Sequence, residues 1–160
     1  MHSSDFSVST LPSGLRELYF SWSALKNMQL TRCLSDLDLI RLRENLDRIT
    51  IIEIKRTSDG HVVDFEFLYV SSGSKTKFNR APVGQSLSSL AGKGPGSQIW
   101  AAFNEVAMRG FPLYVSLPYV GPSAGYLQSK EIFLPLFGTK SDVNFVLAGV
   151  ILVPKQSPPE

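Results

Sequence analysis

The stretch from residue 49 to residue 69, ITIIEIKRTSDGHVVDFEFLY, decides the fold because the helical period of the apolar residues before it gives way here to the pattern of strands. The first six residues are rich in β-branched side chains, which is typical of a strand. Residues 57–60, Thr-Ser-Asp-Gly, form a turn signal, because glycine accepts a positive φ after aspartate. The residues after the turn alternate, which predicts one shared face of a second strand. Its members are Val63, Phe65, Phe67 and Tyr69. We therefore expect a β-hairpin.

A helix and three further strands are predicted after the hairpin. Ser97 can cap a helix that runs to about Arg109, and Gly110 is a natural C-terminal cap. The strands are expected at residues 113–120, 126–137 and 144–153. Their short connections favour antiparallel pairing.

Helical periodicity precedes the hairpin. It predicts one helix over residues 15–30 and a shorter one over residues 37–45. The fold class is therefore α+β, with a five-stranded antiparallel sheet, helices on one face and an N-terminal helical extension. We expect a flexible arm over residues 1–14, the domain over 15–153 and a tail over 154–160.

The bulk composition excludes several classes of protein. At 160 residues, 43% of them hydrophobic and 19% charged, the chain fits one folded domain. A formal net charge of +2 without a dense basic run gives little attraction for nucleic acid. The single cysteine, Cys33, forms no internal disulfide, and no apolar run reaches the roughly 18–20 residues that span a bilayer. We expect a cytoplasmic protein that does not insert into membranes.

Four short motifs follow one another along the chain. They are Asp64-Phe-Glu-Phe67, Val83-Gly-Gln-Ser-Leu87, Gly110-Phe-Pro112 and Phe133-Leu-Pro-Leu136. Together with the order of the elements, they resemble the stand-alone PAS family of alphaproteobacteria over residues 15–153. Members of that family often carry an arginine in the second strand. Leu68 lies near that place here, so no role of that arginine is transferred.

The resemblance implies a PAS-like fold that holds a small guest between the sheet and its helices. Such pockets are mostly apolar, with a few polar groups that orient the guest. The ligand-binding candidates are Phe65, Phe67, Tyr69, Trp100, Phe103 and Tyr114. The third strand can instead turn Leu113 and Val115 toward the pocket in place of Tyr114. The aromatic candidates can also simply fill the core without binding a ligand.

Cofactor and catalytic chemistry find little support in the sequence. His2 and His61 lie away from the long helix, and Cys33 lies away from the place of a flavin-reactive cysteine. We therefore expect neither haem nor a photoactive flavin, no metal site, and no catalytic residue. The glycines of residues 92–96 lack the Gly-Lys-Ser/Thr ending of a phosphate loop and are interpreted as a flexible connection.

The first helix carries an apolar stripe that is large for a short arm. Its members include Leu15, Leu18, Tyr19, Trp22 and Leu25. The stripe can cover the open side of the sheet within one chain, or it can form the seam of a homodimer, as helices before the first strand often do in PAS-like domains.

Three hypotheses for the function follow. The first is a regulatory module that binds a small apolar or aromatic ligand, or a signalling partner, and acts through association. The second is a small α+β enzyme acting on an apolar substrate, which needs an acid–base pair inside the pocket. We see no such pair on the inward-facing positions. The third is a structural adaptor without a ligand.

Overall fold

The computed structural model describes residues 6–25, 45–72, 83–119, 125–137 and 142–155. Its elements are a 3-10 helix Val8–Thr10, α1 (Ser13–Leu25), β1 (Arg48–Arg56), β2 (Val62–Ser72), a 3-10 helix Leu87–Ser89, α2 (Gln98–Arg109), β3 (Leu113–Pro118), β4 (Tyr126–Phe137) and β5 (Val143–Pro154). The strands form one sheet in the order β2-β1-β5-β4-β3, and each pairing is antiparallel. The predicted α+β class with a five-stranded antiparallel sheet is confirmed.

The predicted hairpin is present, but two bulges interrupt its alternation. Ile51 pairs with Tyr69 while Ile52 pairs with Phe67, so Leu68 is an extra residue in β2. A second register shift makes Val63 an extra residue near the turn. Each bulge shifts the residues beyond it to the opposite face, because period-two alternation requires a continuous ladder.

Because of the first bulge, the prediction that Tyr69 shares a face with Phe65 and Phe67 is wrong. Phe65 and Phe67 remain together on the face that packs under α2. Tyr69 instead packs against the cluster beneath α1. Val63, which was assigned to the same face as Phe65, is 52% exposed.

Both faces of the sheet are covered by helices. On the first, the α2 face, alternate residues of β1 and β5 such as Ile52 and Val146 pack under α2. On the second, the α1 face, their neighbours such as Ile51 and Leu147 pack under α1. The long helix α2 thus lies on one face, and the predicted N-terminal helical extension covers the other face within the same chain, which is one of the two alternatives left open by the sequence. The central strands are apolar on both sides, and each side needs its own cover.

The α1 helix packs closely on β5 at Gly149. A side chain at this position would place its Cβ 2.5 Å from Cδ2 of Leu18 and 3.4 Å from Cδ2 of Leu15. The absent side chain of Gly149 thus lets the helix approach the sheet.

The packed structure begins before the predicted boundary at residue 15, because Leu11 is buried in the same cluster as Leu15 and Leu18.

The second helix begins and ends as predicted. The hydroxyl of Ser97 accepts a hydrogen bond from the backbone N–H of Trp100, and Gly110 ends the helix with a φ of 73°. The predicted continuation of α1 to residue 30 lies outside the described residues. So does the predicted helix over residues 37–45, except for Asn45.

Candidate ligand-binding site

A cavity of about 410 Å³ lies between the α2 face of the sheet and the segment that leads into α2. Its volume falls within the range of small-molecule sites. Apolar side chains form most of its wall, and they include Phe67, Leu87, Ile99, Phe103, Leu117 and Ala148. Three charged residues, Arg48, Lys93 and Glu131, also line it.

One side of the cavity is held by the segment that runs along the edge of β2. The N–H of Phe67 donates to the carbonyl of Gln85 at 3.0 Å, and the N–H of Gly84 donates to the carbonyl of Phe67 at 2.8 Å. The Asp64 carboxylate accepts hydrogen bonds from the N–H and the hydroxyl of Ser88. These contacts hold Leu87, which is 1% exposed, in the wall of the cavity.

The glycine-containing segment of residues 92–96 borders the cavity as two successive turns. Gly92 and Gly96 have φ values of 73° and 94°, which L-residues rarely adopt. The N–H of Lys93 donates to the carbonyl of Leu90, and the N–H of Ser97 donates to the carbonyl of Gly94, each at 3.1 Å. The segment predicted as a plain connection is therefore a wall of the site, and it brings Lys93 to the cavity.

Aromatic rings stiffen the apolar part of the site. The ring of Phe65 lies 4.9 Å from that of Trp100 and 5.5 Å from that of Phe103, centroid to centroid. Phe103 in turn meets Phe133 at 5.0 Å, edge to face. Among the predicted ligand-binding residues, Phe67 and Phe103 line the cavity. Phe65 and Trp100 pack in the same cluster beside them.

The sequence left open which residues of the third strand face the pocket. Leu113 and Val115 pack on the α2 face, and Leu117 lines the cavity. Tyr114 lies on the α1 face, with its ring 6.0 Å from that of Phe6. The placement of Tyr114 in the ligand site was therefore wrong. Like Tyr69, it stands on the opposite side of the sheet.

The polar end of the cavity is a row of residues across three central strands. Arg48 of β1 pairs with Val150 of β5, and Val150 pairs with Glu131 of β4. The hydroxyl of Ser129 donates to Oε2 of Glu131 at 2.7 Å. Thr50, two residues along β1 from Arg48, adds a buried hydroxyl to the same wall.

Burial sets the protonation of this cluster. It raises the pKa of Glu131, and the hydrogen bond from Ser129 and the charges of Arg48 and Lys93 oppose that rise. Burial, and then the charge of Arg48, lowers the pKa of Lys93, while Glu131 partly offsets this effect. Burial also lowers the pKa of Arg48, although a guanidinium stays protonated in proteins. Lys93 and Glu131 are therefore the groups whose charge can change.

This charged cluster was not predicted from the sequence. No acid–base pair was expected on the inward-facing positions, whereas Glu131 and Lys93 both line the cavity. The alternation of β4 does place Glu131 on the same face as Phe133, so the signal was present in one strand. Its meaning depends on β1, β5 and β4 being neighbours, which a single sequence does not show.

The apolar stripe of α1 is largely used inside the chain. Leu15 and Leu18 are 0% exposed and Trp22 is 5% exposed, all within the cluster of the α1 face. These three residues therefore cannot form the predicted dimer seam, because the sheet already covers them. Tyr19 is half-buried beside Phe6, and the side chain of Leu25 lies outside the described residues.

The possible metal ligands are scattered over the described part of the chain. In the described part of the chain, no three His, Cys, Asp or Glu side chains stand close enough together to hold a metal ion. The side chain of His61 is 81% exposed in its turn, and Cys33 falls among the residues not described. Neither α1 nor α2 is long and apolar enough to cross a membrane.

Comparisons with known proteins define no family for this chain. No family model matches it, and no curated protein matches it. One solved structure that matches the path of this chain in part is described as an IcIR transcriptional regulator from Alicyclobacillus acidocaldarius, with a TM-score of 0.42 and 13% sequence identity. The match covers 85% of this chain and 62% of that one, so the chain spans less than two thirds of the regulator's length.

Proposed function

We propose that this chain is a PAS-like sensory or regulatory domain that binds a small ligand in the cavity beneath α2. The observation that carries the proposal is the 410 Å³ cavity itself, with a wide apolar wall and polar groups gathered at one end. This combination is typical of small-molecule sites. The order of the elements and the motifs that resemble the PAS family support the same function.

A route for the signal is built into the segment that forms the wall. The residues from Gly92 to Ile99 include the turns beside the cavity and the first turn of α2. A ligand that prefers one arrangement of these turns shifts the population of α2 positions on the sheet. The change is then read by a partner protein or by a second copy of the chain.

The test begins with protein purified without added ligand. Native mass spectrometry shows whether a small molecule remains bound, and thermal denaturation with a library of small molecules shows which compounds stabilise the fold. The matched variant is Leu117→Trp, which places a bulky ring in the cavity from the edge strand β3. Ser116→Trp is the control, because Ser116 is exposed and stands on the other face.

We expect compounds that stabilise the wild type and Ser116→Trp, and that leave Leu117→Trp unaffected. The proposal fails if the protein carries no ligand and no compound distinguishes the two tryptophan variants.

A second candidate function rests on Glu131. A carboxyl group with a raised pKa, placed in a cavity beside Lys93, can serve as a general acid or base. A small enzyme would convert the bound compound, and Glu131→Gln would abolish that conversion while leaving binding intact. Recovery of every bound compound unchanged after long incubation would favour the sensory function.

A further inference from the structure

Lys93 brings an amine to a cavity whose wall is mostly apolar. Its side chain is half-buried, and its pKa is lowered by burial first and by the charge of Arg48 second, while Glu131 partly offsets both. A lower pKa leaves more of the amine neutral, and the neutral amine is the nucleophilic form of lysine. Desolvation in an apolar pocket is a usual way in which proteins activate this amine toward carbonyl compounds.

The backbone on both sides of Lys93 is held in place. Its N–H donates to the carbonyl of Leu90 at 3.1 Å, and the carbonyl of Gly94 accepts from the N–H and the hydroxyl of Ser97, at 3.1 Å and 2.7 Å. Gly94 also lies against Ser88, because a Cβ on this glycine would stand 3.7 Å from Cα of Ser88. The side chain of Lys93 therefore starts from a fixed point beside the cavity.

Polar groups near the amine suit the loss of water that imine formation requires. Thr50 lines the cavity with a buried hydroxyl, which can bind the oxygen of a carbonyl group. Glu131 lines it as well, and the hydroxyl of Ser129 holds its Oε2 at 2.7 Å. Burial raises the pKa of Glu131, so its carboxyl group can carry a proton to the oxygen that leaves.

We infer that Lys93 is a covalent anchor for an aldehyde with an apolar or aromatic body, which it binds as an imine. The inference rests on the proposed function, because it names the chemical class of the guest of the same site. The body of the guest packs against Phe67, Leu87 and Phe103, which line the cavity.

The reaction needs no oxidant or reductant. The Nζ atom attacks the carbonyl carbon, a C–N bond forms, and the electron pair of the C=O π bond moves to oxygen. The nitrogen lone pair then forms the C=N bond as the C–O bond breaks. Both N–H protons of the neutral amine leave with that oxygen as water, and the addition of water reverses the reaction.

Two compounds with one aromatic body test the inference. They are hydrocinnamaldehyde and hydrocinnamyl alcohol, which differ in the carbonyl group alone. Sodium borohydride reduces an imine to a stable secondary amine, and mass spectrometry of the intact chain and of its peptides shows how many groups are added and where. We expect one adduct per chain at low aldehyde concentration, and we expect it on Lys93.

Lys55 is the comparison within the same chain. Its ammonium forms an ion pair with Glu53 at 2.5 Å, and this hydrogen bond raises the pKa of Lys55. The initial rate of labelling should be higher at Lys93 than at Lys55 by on the order of tenfold or more, since one pKa unit changes the fraction of neutral amine about tenfold.

Matched variants separate the amine from the cavity. Lys93→Arg keeps a positive charge and removes the nucleophile, so the adduct should be lost while hydrocinnamyl alcohol still binds in calorimetry. Lys55→Arg is its control and should leave the adduct on Lys93 unchanged. Leu117→Trp fills the cavity and leaves the amine intact, and it should remove the advantage of Lys93 over Lys55. The mapped position in the wild type carries the test if a variant does not fold.

The possible results separate the two proposals. Labelling of Lys93 no faster than that of Lys55, in a protein that binds the alcohol, would overturn the imine and keep the ligand site. Fast labelling of Lys93 that persists in Leu117→Trp would also overturn the inference, because the amine would then react without a guest in the cavity. If neither compound binds and no compound of the wider library distinguishes Leu117→Trp from Ser116→Trp, the proposed function itself fails.

Discussion

Trp22 donates its indole N–H to the backbone carbonyl of Pro135 at 2.7 Å, a bond that joins α1 to β4 inside the cluster of the α1 face. Pro135 lies beyond the last pair between β3 and β4, which is Leu113 with Phe133. A proline is tolerated there because the neighbouring strand has ended. The helix thus completes the sheet where β3 leaves β4 uncovered.

Replacing Trp22 with phenylalanine should lower the free energy of unfolding by roughly 1–3 kcal/mol, because the buried carbonyl of Pro135 loses its donor. Urea denaturation followed by far-UV circular dichroism measures the change. The control on the same helix is Phe20→Leu, since Phe20 is 57% exposed. Equal stability of the two variants would show that the bond does not hold α1 on the sheet.

Gly14 is the position where a small change should be most costly. A Cβ at this position would lie 2.1 Å from the backbone oxygen of Asn45, which cannot move as a side chain can. Gly14→Ala should lower the free energy of unfolding by about 1–3 kcal/mol, the usual range for overpacking. Gly125→Ala is the control, since a Cβ there meets nothing within 4 Å, and it should leave the urea midpoint unchanged.

Ser97 links the cavity wall to the start of α2. Its hydroxyl accepts from the N–H of Trp100 and donates to the carbonyl of Gly94, so Ser97→Ala should cost roughly 0.5–2 kcal/mol. Ser86 precedes the 3-10 helix Leu87–Ser89 without a side-chain capping bond and serves as the matched control. Thermal denaturation should show the lower melting temperature only for Ser97→Ala. A similar loss for Ser86→Ala would contradict the capping role.

Glu131 should make stability depend on pH. Burial raises its pKa, so the folded protein holds the proton more tightly than the unfolded chain does. The stabilisation of the folded state that comes from the protonated Glu131 is complete below about pH 4.3, which is the pKa of this group in the unfolded chain. It is lost as the pH rises through the pKa in the folded chain. Arg48 and Lys93 face the same carboxylate and limit the size of the effect.

Glu131→Gln keeps the shape of the protonated form and removes the titration. The variant should match the wild type near pH 4 and exceed its free energy of unfolding increasingly as the pH rises to 8. Urea denaturation of both proteins across that interval measures the difference. A constant difference at all pH values would show that Glu131 keeps an ordinary pKa in the folded chain.

Local signals in the sequence were sufficient to predict the ends of α2 and the presence of the strands. Ser97, Gly110 and the turn before Gly60 act through their own backbone neighbours, so their roles can be inferred without the fold. The bulge at Leu68 is different, because it exists only in the pairing of β2 with β1. Tyr69 was therefore assigned to the wrong face by an alternation that holds only for Phe65 and Phe67, between the two bulges.

The candidate site could be predicted only in part for the same reason. Phe67 and Phe103 were found because aromatic residues on a half-buried strand and helix point to a shared core. Arg48 and Glu131 are separated by 83 positions and meet only through β5, the strand between them. Lys93 arrives on a segment whose path depends on two positive-φ glycines.

The row of Arg48, Val150 and Glu131 also bears on how the strands find their alignment during folding. A slip of one residue in β1 or β4 would turn its charge toward the α1 face, among Leu15, Leu18 and Leu147. An ion in that apolar layer is strongly disfavoured. The charges at the cavity therefore disfavour alignments of β1 or β4 that are shifted by one residue.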